Sequence, residues 1–125
     1  MKTIIRIEHK SGNGIFRAVN RLGNYIIDSK KVGKTFNKLQ IRHFEFPTPY
    51  GDSKISRFIN EDEFCAFKSI EQVQQWITKD EIIALTKLDF KVLMLDVSEC
   101  IEGEYQIIYE KKNILQSKDI TNLFI

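Results

Sequence analysis

The sequence has few cysteines, few prolines and no long apolar segment. Its two cysteines, Cys65 and Cys100, lie far apart without the spacing of a metal site, which predicts two reduced, buried thiols. No apolar run approaches the roughly 20 residues that cross a bilayer, so no membrane partner is expected. Charges interrupt the apolar start of the chain, which favours a strand over a signal peptide. These absences predict a cytoplasmic protein.

The common catalytic and cofactor motifs are also missing. The sequence has no Ser-His-Asp order, no HExxH motif and no Cys/His cluster, so hydrolases of those types and a metal site are not expected. Gly33 to Thr35 read "GKT", but Asp28 stands where a phosphate-binding loop needs its first glycine. Basic residues between Lys30 and Lys38 come without a nucleic-acid-binding motif. No cofactor is predicted, a nucleic-acid partner is not expected, and catalysis is left open with a preference against it.

What the sequence does contain is the pattern of one small α+β domain. A chain of 125 residues forms about one domain, here residues 1–125. Strand-like segments come first, two helices follow, and further strands end the chain. Ser69 with Gln72 and Thr78 with Glu81 have the spacing of capping boxes, which predicts consecutive helices at about 69–77 and 79–88. We expect these helices to pack on one mixed or mostly antiparallel sheet.

The first strand is predicted to be amphipathic. The segment "TIIRIEH" alternates, with Thr3, Ile5 and Ile7 on one face. Ile4, Arg6 and Glu8 fall on the other face, which we expect to form a polar rim. The Ser-Gly-Asn-Gly turn that follows allows positive φ angles and turns the chain back.

Positive charge is concentrated in the first half of the chain. Residues 1–57 hold 12 Lys and Arg against 4 Asp and Glu, a net +8, whereas residues 58–125 hold 7 against 13, a net −6. All five arginines lie in the first part. Because arginine binds phosphate and carboxylate groups in a bidentate manner, the pattern predicts a small anionic ligand. The alternative is a solvated basic face without a site.

The candidate site residues flank the glycine turn and a proline-containing loop. Across the turn, Arg6 and His9 are expected to work with Arg17. Arg42 and His43 precede the loop "FPTPYGD", whose last residue, Asp52, is suited to bind a hydroxyl. The candidate ligand-binding residues from this pattern are Arg6, His9, Arg17, Arg42, His43 and Asp52. We expect the loss of Arg6 or Arg42 to weaken binding and to leave the fold intact. An Arg42–Asp52 ion pair and structural histidines are the alternatives.

The stretches "RIEHKSGNGIFR", "RHFEFPTPYGD" and "FCAFKSIEQVQQW" together resemble a group of small, mostly uncharacterised proteins of bacteriophages and prophages. The likeness runs along most of the chain. It implies an accessory role, with counter-defence as one form of it, in the host cytoplasm.

A second resemblance, at the level of layout, is to ADP-ribosyltransferases. Arg6 or His9 would match the strand-borne NAD-binding residue, and Ser69 the strand-end serine. Glu104 and Gln106 of "EYQIIY" would match the paired glutamates, with Gln106 in place of the catalytic one. The resemblance therefore adds Gln106 as a candidate for binding a ribose hydroxyl. Three functions remain open: a binder of a nucleotide or NAD-derived molecule, an ADP-ribosyltransferase-like enzyme, and a protein-binding inhibitor of a host complex.

Overall fold

The computed structural model describes residues 1–10, residue 12 and residues 62–125. These residues form strands, two α-helices and two short 3₁₀ turns, which confirms the α+β class. The strands are β1 (Lys2–His9), β2 (Glu63–Ala66), β3 (Phe90–Val97), β4 (Ile101–Glu102), β5 (Ile107–Glu110) and β6 (Ile114–Asp119). The helices are α1 (Ile70–Trp76) and α2 (Lys79–Thr86), and the 3₁₀ turns are Lys111–Asn113 and Thr121–Leu123.

The strands form two antiparallel sheets rather than the one that we expected. The first sheet has the order β1-β3-β6 and the second the order β2-β5-β4. An isolated bridge between Ile5 and Phe67 links them through backbone hydrogen bonds of 3.0 and 2.7 Å. This bridge places β2 beside β1, so that β1 has β3 on one side and the chain after β2 on the other.

Both helices begin at the residues that the capping patterns predict. The Ser69 hydroxyl accepts a hydrogen bond from the backbone N–H of Gln72 at 3.1 Å. The Gln72 side chain accepts from the N–H of Lys68, one residue before the cap, instead of from Ser69 itself. Thr78 and Glu81 form the complete capping box. These bonds satisfy N–H groups that the helices leave without internal partners.

The first core lies between the first sheet and the two helices. Its buried residues are Ile5, Ile7, Val73, Ile77, Ile82, Leu85, Leu88, Phe90, Val92, Ile120 and Phe124. Trp76 is partly buried and packs edge-on against Phe67 with 5.3 Å between ring centres. The helices therefore cover the face of β1 that carries its odd-numbered residues.

The second core lies between the two sheets. Its buried residues are Ile4, Ala66, Leu95, Val97, Ile107 and Tyr109. The alternation predicted for β1 is confirmed, but its even-numbered face is not a polar rim, because the second sheet covers it. Buried side chains on both faces of a strand are typical of a layer in the middle of a fold. Arg6, on this covered face, is consequently only 6% exposed.

Candidate functional site

Arg6 lies in the middle of β1, where the two sheets meet. Its guanidinium donates a hydrogen bond from Nη1 to the carbonyl of Cys65 in β2 at 2.7 Å. A second hydrogen bond runs from Nη2 to the carbonyl of Gly12 at 3.1 Å. Hydrogen bonds from a charged donor contribute about 1.5–3 kcal/mol each. Arg6 therefore holds the glycine turn and β2 against β1, which makes it part of the fold.

The third guanidinium nitrogen of Arg6 is less well partnered. Its Nε atom lies 3.5 Å from Oε1 of Glu8, an ion-pair distance. The same Nε is buried and makes no hydrogen bond to any of the described residues. Glu8, two residues along β1 on the same face, keeps 21% of its side chain exposed. The Arg6–Glu8 pair thus runs from the buried centre of the sheet toward solvent.

A second cation, Lys111, reaches the same place from the segment after β5. Its Nζ lies 4.9 Å from the centre of the Phe64 ring, and Cζ of Arg6 lies 5.4 Å from the same centre. Both distances are those of cation–π contacts. Lys111 also reaches the glycine turn, because a Cβ added to Gly12 would lie 3.0 Å from its Nζ. The aromatic ring and the turn therefore bring two cations together.

The turn itself requires glycine at position 12. Gly12 has a φ of +97°, a backbone conformation that side chains disfavour. Its N–H donates to the carbonyl of His9 at 2.8 Å, which closes the turn. A turn at Gly12 therefore follows β1, and the Gly12 carbonyl faces the Arg6 guanidinium. The other three residues of the predicted Ser-Gly-Asn-Gly turn lie outside the described residues.

Two further polar side chains near Arg6, those of Cys65 and Tyr109, are neutral at physiological pH. Burial raises the pKa of the Cys65 thiol to about 11, against the opposing effect of Arg6. Burial also raises the pKa of Tyr109 to about 12, with Arg6 lowering it and Glu8 raising it. A protonated thiol is a poor nucleophile, so Cys65 is not suited to covalent catalysis. Tyr109 stays a phenol. Cys65 and Cys100 are both free of disulfides, as predicted, although each is half-buried.

His9 lies on the opposite face of β1 from Arg6. It is 1% exposed and packs edge-on against Phe90, its register partner in β3, with 5.2 Å between ring centres. Burial lowers the pKa of His9, with a smaller raising effect of Asp89 and a lowering effect of Lys10. Positions 6 and 9 have opposite parity on a regular strand. The structure therefore does not bring Arg6 and His9 together.

Gln106 lies in the turn between β4 and β5. Its carbonyl accepts a hydrogen bond from the N–H of Gly103 at 2.7 Å. The neighbouring carbonyl of Tyr105 accepts from Nε2 of Gln72 in α1 at 2.6 Å. Gln106 is thus placed at the helix side of the second sheet. The other four candidates, Arg17, Arg42, His43 and Asp52, lie outside the described residues.

Three members of the Arg6 cluster were not found by sequence reasoning. Glu8 was expected only as part of a polar rim, and neither Phe64 nor Lys111 was among the candidate site residues. Lys111 is far from Phe64 along the chain, and pairing of β2 with β5 brings them together by aligning Phe64 with Tyr109. No short sequence pattern specifies how β2 and β5 align, so the sequence alone did not indicate that these side chains lie near Arg6.

Fold and site together define an α+β protein in which an arginine and a lysine converge on an aromatic ring beside a glycine turn. The family model of the bacteriophage T4 Y00F protein matches residues 1–122. The chain therefore belongs to this bacteriophage family, and the predicted membership of a small phage-encoded group is confirmed. Neither the curated proteins nor the solved structures contain a significant match.

The comparisons do not return an ADP-ribosyltransferase, and that resemblance remains a prediction. Ser69, its second element, has the role of a helix cap in this structure. Among residues 1–10, 12 and 62–125, there is no helix with the length and apolarity needed to cross a membrane.

Proposed function

We propose that this phage protein is an accessory factor that binds a small anionic ligand, a nucleotide or NAD-derived molecule, beside its glycine turn. The observation that carries the proposal is the convergence of Arg6 and Lys111 on Phe64 and Gly12. Both cations lie at Gly12, and an anion bound there gains Coulomb attraction from each of them. We further propose that the protein acts in the host cytoplasm, where binding a host nucleotide would serve counter-defence.

The chemistry of the cluster favours binding over catalysis. Its thiol and its phenol are both protonated at neutral pH, and its arginine is held by backbone carbonyls. These groups can hydrogen-bond a phosphate oxygen, but none of them is poised to accept a proton from a substrate.

The proposal is tested by calorimetric titration of the purified protein with ADP, ATP, NAD and ADP-ribose. We expect saturable binding of at least one of them, weakened by salt as for any ionic contact. Replacement of Lys111 by Ala should reduce affinity about 10- to 100-fold, since a hydrogen bond with a charged group contributes about 1.5–3 kcal/mol.

Lys112 provides the matched control, because its Nζ pairs with Glu110 at 3.3 Å instead of facing the ring. Lys112→Ala removes the same charge one residue away and should change affinity less than twofold. Absence of binding by all four probes at millimolar concentration would refute the proposed function. Transfer of a labelled ADP-ribosyl group from NAD would favour the enzyme, and stoichiometric capture of one host protein would favour the inhibitor.

A further inference from the structure

Arg6 retains one donor that the described part of the fold does not use. Nη1 and Nη2 both donate to backbone carbonyls, but the buried Nε makes no hydrogen bond within residues 1–10, 12 and 62–125. Leaving a buried charged donor without a hydrogen bond is costly. Glu8 approaches it only to 3.5 Å, beyond the usual 2.7–2.9 Å of a charge-assisted bond. An oxygen that came closer to Nε would therefore gain interaction energy.

Glu8 is positioned as the group that such an oxygen must displace. Its carboxylate is the anion nearest to Nε among the described residues, and it lies on the solvent side of the buried guanidinium. Across the sheet its register partner is Lys91, which is exposed. Glu8 can therefore turn toward solvent without breaking β1, because only its side chain has to move.

We infer that the Nε–H of Arg6 is the donor to the ligand's phosphate or carboxylate oxygen, and that Glu8 is a built-in competitor which occupies the anion position in the unliganded protein. This inference rests on the proposed function and specifies its site. Ligand binding then exchanges one anion for another at Arg6. Affinity is set by the difference between the two contacts, so the charge of Glu8 lowers affinity.

The test is titration of the wild type, Glu8→Gln and Glu110→Gln with ADP. Glu8→Gln keeps the size of the side chain and removes its charge, so we expect affinity to rise about 10-fold, which corresponds to about 1.4 kcal/mol. Glu110→Gln makes the same change in net charge next to Lys111 and should raise affinity less than twofold. An equal rise in affinity in both variants would show that only the net charge matters, and it would overturn the inference. Weaker binding by Glu8→Gln would also overturn it.

A measurement on the wild type keeps the test independent of how the variants fold. The Nε–H resonance of Arg6, observed by ¹⁵N NMR, should move downfield as ADP is added, because a stronger hydrogen bond deshields the proton. ADP binding without a change of this resonance would overturn the inference and leave the proposed function intact. Absence of ADP binding to both the wild type and Glu8→Gln would overturn the assignment of Arg6 as the donor to a nucleotide.

Discussion

Replacement of Arg6 by Met tests whether this arginine holds the two sheets and the glycine turn together. The variant keeps most of the buried aliphatic volume but removes both hydrogen bonds, to Cys65 and to Gly12. It also leaves Glu8 without the guanidinium that lies 3.5 Å away. Breaking a buried charged network by deleting one partner costs about 3–5 kcal/mol. Domains of this size are stable by about 5–15 kcal/mol, so the loss would be large.

The assay is urea unfolding, followed by far-ultraviolet circular dichroism and by the fluorescence of Trp76. We expect the midpoint for Arg6→Met to fall far below that of the wild type. Arg6→Lys should lie between the two, since it keeps the charge but cannot reach both carbonyls with a planar fork. The control is Lys2→Met, which removes an exposed β1 cation that pairs with Glu102 at 2.8 Å. If Arg6→Met unfolds at the same urea concentration as Lys2→Met, then Arg6 is a surface residue in solution and the reasoning is refuted.

Three further outcomes follow from the described residues. Ser69→Ala should lower the free energy of unfolding by about 1 kcal/mol because Gln72 loses its capping acceptor, and an unchanged denaturant midpoint would contradict this. Gly12→Ala should lower the free energy of unfolding by about 1–3 kcal/mol, because alanine is strained at the positive φ of this position. Equilibrium unfolding measures this loss, and a stabilised variant would show that position 12 does not have a positive φ. Burial lowers the pKa of His9 below 6.5, so on acidification the unfolded state takes up this proton before the folded state does. The contribution of neutral His9 to the free energy of unfolding is therefore fully present above about pH 6.5 and is lost as the pH falls toward the folded pKa. His9→Phe should reduce that slope in pH-dependent thermal melts, and an unaltered slope would assign it to other groups.

The parts of the fold that sequence predicted are those governed by local interactions. Both helix starts were predicted because a capping side chain and its N–H lie three residues apart. The helix α2 (Lys79–Thr86) ends two residues before the predicted bound, because the chain turns there into β3 through Asp89, which has a φ of +68°. The alternation of β1 was likewise predicted, since the direction of successive side chains follows from the backbone of a strand. The division into two sheets was not predicted, because the pairing of strands that are distant in the chain leaves no local pattern in the sequence.

The environment of Arg6 shows where sequence reasoning stops. Parity placed Arg6 on the face opposite Ile5 and Ile7, and that was correct. Whether this face meets water or a second sheet depends on where Phe64 and its strand lie, a contact made across more than fifty intervening residues. The sequence predicted an exposed arginine at position 6, whereas the structure buries it and makes it a tie between β1, β2 and the turn at Gly12.

By itself, the sequence determined the α+β class, the two helix starts and the two faces of β1, because each depends on residues within a few positions of one another. Only the tertiary structure decided that β1 is covered on both sides, so that both Arg6 and His9 are buried. It also brought Lys111 and Phe64 to the turn. These features depend on strand register and sheet packing, which are set by the sum of many distant contacts and leave no short pattern in the chain.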